Sequence, residues 1–173
     1  MKKRIDEIRD CLNKELYEAA LALALTLPDI CGQVEYPKCN LVGQRYTKWI
    51  DECVDMEVFY EATFDEFGDF HPLTAQDIYR LRCSFLHSGD QDIKNKNIDR
   101  FSLVRPGSLG TSRKGTPYGY KYVTELQTDN SVKHIACIDI EYLSKALCDS
   151  AEEYYKSKDP HDFIDHTFTL ELG

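Results

Sequence analysis

The stretch Tyr79-Arg80-Leu81-Arg82-Cys83-Ser84-Phe85-Leu86-His87-Ser88-Gly89 places Arg82 and His87 five positions apart near the end of an otherwise apolar-faced segment. An arginine offers phosphate oxygens a planar, permanently charged fork, and a histidine gives or takes a proton near neutral pH. Together they cover charge stabilisation and proton transfer, the two requirements of phosphodiester cleavage. On a regular α-helix five residues rotate by about 140° and rise about 7.5 Å, so the pair shares no narrow face. Only a long arginine side chain reaching around a bound phosphate closes that gap. A second reading stays open, in which Arg82 pairs with a carboxylate of the acidic segment 51–69, His87 caps the helix and Gly89 ends it. Cys83 and His87 lie one helical turn apart, but no nucleophile signature surrounds the cysteine.

The elements that must position this pair follow from periodicity. Ile5, Ile8, Leu12, Leu16, Ala19, Ala20 and Leu23 recur at helical spacing and predict one long helix over about 2–27, stopped or kinked by Pro28. The last third of that helix is apolar all round, which calls for cover by other helices or by a second subunit. Tyr46, Trp49, Ile50 and Cys53 mark a second helix over about 44–54. A third begins at Thr74, with Asp77 three positions on in the manner of a capping box, and runs to Gly89; Ile78, Leu81 and Phe85 form its buried stripe. Short segments rich in β-branched and aromatic residues at 101–105, 120–126 and 132–138 read as strands, the last two joined in a hairpin by Thr128-Asp129-Asn130-Ser131. The loop 106–119 between the first two is rich in glycine and basic, and is expected to be flexible and solvent-facing. Asp139 is a plausible N-cap for a final helix with Ile140, Leu143, Leu147 and Ala151 on one face.

The whole is expected to be one mainly α domain over 1–173, a helical bundle with its core at about 2–90 and 139–157 and a small antiparallel β insertion at about 100–138. A hydrophobic fraction of 42% and a charged fraction of 29% suit such a globular fold. The longest apolar run, Ala19 to Leu27, falls short of the roughly 20 residues a membrane span needs. The start, Met1-Lys2-Lys3-Arg4, is followed by alternating charges where a signal peptide has an apolar centre. Seven cysteines with no Cys-x-x-Cys pair indicate neither a disulfide framework nor a zinc ribbon. Together these predict a cytoplasmic protein that does not insert into membranes and has no metal site or cofactor. The net charge of -9 argues against wholesale attraction to nucleic acid, yet Lys94 to Lys121 holds Lys94, Lys96, Arg100, Arg105, Arg113, Lys114 and Lys121 against Asp99 alone. A polyanion would be met there, with Lys94, Lys96, Arg100, Arg113, Lys114 and Lys121 as the RNA-contacting candidates.

On these residues the chain resembles the HEPN superfamily, helical domains whose signature is an arginine, four to six residues, then a histidine on a late core helix, here Arg82 and His87. The likeness extends to the long first helix, the apolar Leu23-Ala24-Leu25-Thr26-Leu27-Pro28-Asp29-Ile30-Cys31-Gly32 segment and the ending Leu86-His87-Ser88-Gly89. It covers roughly the first half of the chain. The resemblance implies metal-independent RNA cleavage, in which the ribose 2′-hydroxyl attacks the adjacent phosphate with His87 as acid/base and Arg82 as phosphate ligand. It also implies a homodimer with facing motif helices, and a toxin or a stress- or phage-defence role with an antitoxin or other defence-system partner. Cys83 departs from the pattern, because many active members carry Asn, Asp or His after the arginine. The alternative is a catalytically inactive HEPN-like domain that binds RNA, nucleotide or a protein partner.

Overall fold

The computed structural model describes residues 1–59, 71–88, 97–111 and 115–166. Its chain order is α1 (Lys2–Asn13), α2 (Tyr17–Ala24), α3 (Leu27–Glu35), α4 (Val42–Cys53), a 3-10 turn (Met56–Phe59), α5 (Ala75–Cys83) continuing as a π-helical turn (Ser84–Ser88), β1 (Arg100–Val104), β2 (Tyr120–Leu126), β3 (Val132–Asp139), α6 (Ile140–Lys156) and a second 3-10 turn (Pro160–His166). The protein is therefore mainly helical with a small three-stranded sheet, and none of the described helices is long and apolar enough to cross a membrane.

The single first helix expected from periodicity is instead a hairpin. Glu15 sits in the left-handed region at φ 57°. Its N–H donates to the Leu12 carbonyl at 3.0 Å and the Leu16 N–H donates to the Cys11 carbonyl at 2.8 Å. These are the paired bonds of a Schellman helix end, made without the usual glycine. The break lets α2 fold back, so most of its apolar surface is covered within the chain: Ala20, Leu21, Ala24 and Leu25 are fully buried beside α1 and α6, Ala22 and Leu23 are half-buried and Ala19 is exposed. Pro28 opens α3 at its first turn rather than ending a helix, where a missing N–H costs nothing.

The core runs from Ile5 and Ile8 of α1 through Tyr46, Trp49 and Ile50 of α4 and Ile78 and Leu81 of α5 to Leu143, Leu147 and Ala151 of α6. Asp139 caps α6 as expected, one carboxylate oxygen accepting from the N–H groups of Glu141 and Tyr142. Its other oxygen accepts from Gly107 N–H at 2.8 Å. That bond and the Thr111–Pro117 bridge tie down the described parts of the loop expected to be free.

The sheet departs from the antiparallel expectation. Its order is β1-β3-β2; β2 and β3 form the anticipated antiparallel hairpin, but β1 pairs with β3 in parallel. The long connection from β1 to β2 passes across β3, so the hairpin inserts its second strand between the other two. Phe101, Tyr120, Tyr122, Ala136 and Ile138 share the inner face and join the helical core. Arg100, Lys121, Lys133 and Glu125 share the outer one.

Candidate functional site

α5 starts with the capping box that the sequence indicates: Thr74 Oγ1 accepts from Asp77 N–H, and the Asp77 carboxylate accepts from Thr74 N–H. The helix does not run on regularly to its end. From Ser84 it widens into a π-helical turn, whose backbone closes from i to i+5. The α-helical estimate of the Arg82–His87 offset therefore does not hold past Cys83, where the regular helix ends and the wider turn begins. Arg82 Nη1 lies 3.2 Å from His87 Nε2. A guanidinium has no acceptor, so a hydrogen bond here requires Nε2 of His87 to accept, which in a neutral ring places the proton on Nδ1.

Arg82 is mostly enclosed, with 17% of its side chain exposed, whereas His87 is exposed. Among the described residues the carboxylate facing Arg82 is Asp29 of α3; residues 60–69 of the acidic segment lie outside the described residues. Arg82 Nη2 is 3.9 Å from Asp29 Oδ2, beyond hydrogen-bond length but well within Coulombic reach. Asp29 Oδ1 accepts from Arg45 Nε at 3.0 Å and Nη2 at 2.9 Å, and Arg45 Nη1 also donates to the Cys39 carbonyl. Two guanidiniums thus share one carboxylate among the described residues. Arg82 Nε is buried without a hydrogen-bond partner, and the Cys83 sulfur is 4.0 Å from Arg82 Nη1.

Two glycines let α3, α4 and α5 converge here. A Cβ on Gly32 would lie 2.9 Å from the backbone oxygen of Arg45, and one on Gly43 would lie 2.9 Å from the Tyr79 ring. Tyr79 packs on Tyr46 with ring centroids 5.2 Å apart, and its hydroxyl pKa is raised, first by burial and then by a hydrogen bond with Cys83. Behind the motif, Leu81, Ser84 and Phe85 form one wall of a cleft of about 810 Å³ whose far side includes Phe101 and Leu103 of β1.

Of the expected RNA contacts, Lys94, Lys96, Arg113 and Lys114 lie outside the described residues. Arg100 and Lys121 fall on one face of the sheet, together with Lys133, which the sequence reading did not include. That face is opposite to the one that carries Phe101 and Tyr120. Arg82 and His87 are brought together. Asp29 and Arg45 are the site residues that sequence reasoning missed. The available signal was a lone carboxylate inside the apolar run Leu23–Cys31, since a charge in such surroundings is rarely buried without a partner. Among the described residues no group of three or more His, Cys, Asp or Glu side chains is placed to hold a metal ion.

Comparison with protein-family models, with curated proteins and with solved structures finds no match to this chain.

Proposed function

We propose that this chain is a HEPN-type, metal-independent endoribonuclease in which His87 moves the proton and Arg82 carries the phosphate charge. The observation that supports it is the 3.2 Å approach of Arg82 Nη1 to His87 Nε2 at the widened end of α5. A base must have a free lone pair, and Nε2 has one, engaged only by a donor that an incoming phosphate would draw away. In this reading a phosphate takes the Arg82 fork, Nε2 accepts the proton of the ribose 2′-hydroxyl, and the hydroxyl oxygen attacks the neighbouring phosphorus. The guanidinium offsets the charge that builds on the phosphoryl oxygens.

One histidine cannot stand on both sides of the phosphorus at once. The protonation of the leaving 5′-oxygen is therefore assigned to His87 of a second copy, in a homodimer with facing motif helices. The covered apolar end of α2 no longer argues for such a dimer, which rests on the resemblance and on this stereochemical need. The toxin or defence role, with its antitoxin or other partner, rests on the resemblance alone.

The test is cleavage of a mixed-sequence RNA in the presence of chelator. Activity that persists with chelator and disappears in both His87→Ala and Arg82→Ala supports the assignment; activity that needs a divalent ion, or survives both substitutions, overturns it. A second reading, binding without turnover, is favoured by Cys83 in place of a polar residue after Arg82. It predicts RNA affinity that Arg82→Ala weakens and no cleavage by the wild type.

A further inference from the structure

Asp29 has no part in the chemistry above, yet it sits where it governs the pair that does. Its Oδ1 is clamped by two N–H groups of Arg45, at 3.0 and 2.9 Å, and Arg45 is itself anchored to the Cys39 carbonyl at 3.3 Å. The close contact at Gly32 locks α3 against α4, so the carboxylate is fixed on both its helix and its partner. Its second oxygen faces Arg82 Nη2 at 3.9 Å, while the other terminal nitrogen of that guanidinium reaches His87 at 3.2 Å. A guanidinium is a rigid plane, so attraction on one terminal nitrogen sets the direction of the other. With Arg82 Nε making no bond of its own, the plane is oriented by its two ends alone.

We propose that Asp29 is a positioning residue for the Arg82–His87 pair. It acts through Arg82 to hold the His87 ring in the tautomer protonated on Nδ1, with the Nε2 lone pair aimed at the guanidinium. The consequence for catalysis rests on the ribonuclease reading; the consequence for the imidazole does not. Asp29 also has a cost for binding, because its negative charge faces the nitrogens that a phosphate would occupy. Removing that charge should therefore tighten RNA binding while slowing the reaction, a split that a purely structural carboxylate does not produce.

The experiment uses the full chain and two readouts. The ring ¹⁵N shifts of His87, recorded where the imidazole is neutral, should show one tautomer in the wild type, averaged tautomers in Asp29→Asn and a return to one in Asp29→Glu, which keeps the charge. The Asn variant keeps an oxygen for Arg45; should it nevertheless fail to fold, Arg45→Lys, which loosens the two-point clamp, is expected to shift the ring in the same direction. A wild-type ring already averaged, or a folded Asp29→Asn with wild-type shifts, overturns the proposal. In parallel, kcat on a mixed-sequence RNA should fall about 10–100-fold in Asp29→Asn, while its affinity for the 2′-O-methylated copy rises. Equal losses in kcat and affinity would also overturn it. A wild type that neither cleaves the RNA nor binds the methylated copy defeats the ribonuclease reading, and the ring shifts still decide the role of Asp29.

Discussion

Two clusters of the same residue types flank α5, and they differ in which member is left unfilled. At the N-terminal end the carboxylate is central. Asp77, 1% exposed, accepts from the Thr74 N–H, from His71 Nε2 at 3.1 Å and from Arg80 Nη1 at 3.3 Å. At the C-terminal end the arginine is central. Arg82 has one hydrogen bond to an imidazole, a carboxylate 3.9 Å away and a buried N–H without a partner. A buried carboxylate surrounded by donors is finished as a structural unit. An arginine whose counter-ion is held by a neighbouring arginine keeps its capacity for an anion. Residue type alone does not separate a cap from a site; unspent hydrogen-bonding capacity does.

The largest expected difference between the two ends is in rate. Under the proposed ribonuclease function, His87→Ala and Arg82→Ala should each lower RNA cleavage by about 10²–10⁴-fold and leave the melting temperature nearly unchanged. Asp29 keeps Arg45 when Arg82 is removed, so no buried charge is orphaned. Thermal melts beside initial rates check this, and a large loss of stability in Arg82→Ala with no change in rate per folded molecule would erase the distinction between the ends.

Next in size is the converse. Asp77→Ala removes the carboxylate half of the capping box and leaves His71 and Arg80 without this acceptor, at a cost of about 2–4 kcal/mol. Urea unfolding should report that loss, while the cleavage rate per folded molecule stays close to wild type. A selective collapse of rate without loss of stability would show that the N-terminal cluster is also part of the site.

Much of this contrast was legible before the structure. The capping box at Thr74 and Asp77, the cap at Asp139, the hairpin of β2 and β3 and the Arg82–His87 pair are local patterns, and local patterns carry their own signals. What stayed hidden was made by contacts distant in sequence or by conformations that sequence marks poorly. The turn at Glu15 closes a helix with a residue whose side chain disfavours the left-handed region. The parallel pairing of β1 with β3 depends on where a long connection crosses. The Asp29–Arg45 clamp joins residues 16 positions apart on separate helices, and the π-helical turn that carries His87 has no recognisable sequence signature.

A smaller effect tests how the C-terminal cluster is assembled. Gly32→Ala puts a methyl group 2.9 Å from the Arg45 carbonyl oxygen, and because the obstacle is backbone, α3 and α4 must separate. Overpacking of this kind costs about 1–3 kcal/mol. Asp29 and Arg45 would move apart with the helices, so the variant should lose cleavage beyond what its lowered stability explains. A variant that loses stability but keeps its rate would mean that the clamp tolerates the displacement.

The smallest expected effect is an ion pair that belongs to neither cluster, which marks the level below which neither should be judged. Glu35, at the end of α3, accepts from Lys158 Nζ at 2.7 Å and from the Tyr154 hydroxyl at 2.7 Å. The lysine first and the tyrosine second hold its carboxyl pKa below the ordinary 4.5. A carboxylate with a lowered folded-state pKa binds its proton more readily when unfolded, so its contribution is fully present above about 4.5 and is lost as pH falls through the folded value. The pair is about one-third exposed on each side, and pairs of that kind contribute about 0–1 kcal/mol. Melting curves of the wild type and Glu35→Gln should therefore differ slightly near neutrality and converge as pH drops below 4.5. A gap that widens in acid would reverse the sign and remove Glu35 as an acid-sensitive contact. A gap at neutrality as large as that of Asp77→Ala would show that partly exposed pairs in this protein carry as much stability as its buried cap, and the contrast between the two ends of α5 would then have to rest on rates alone.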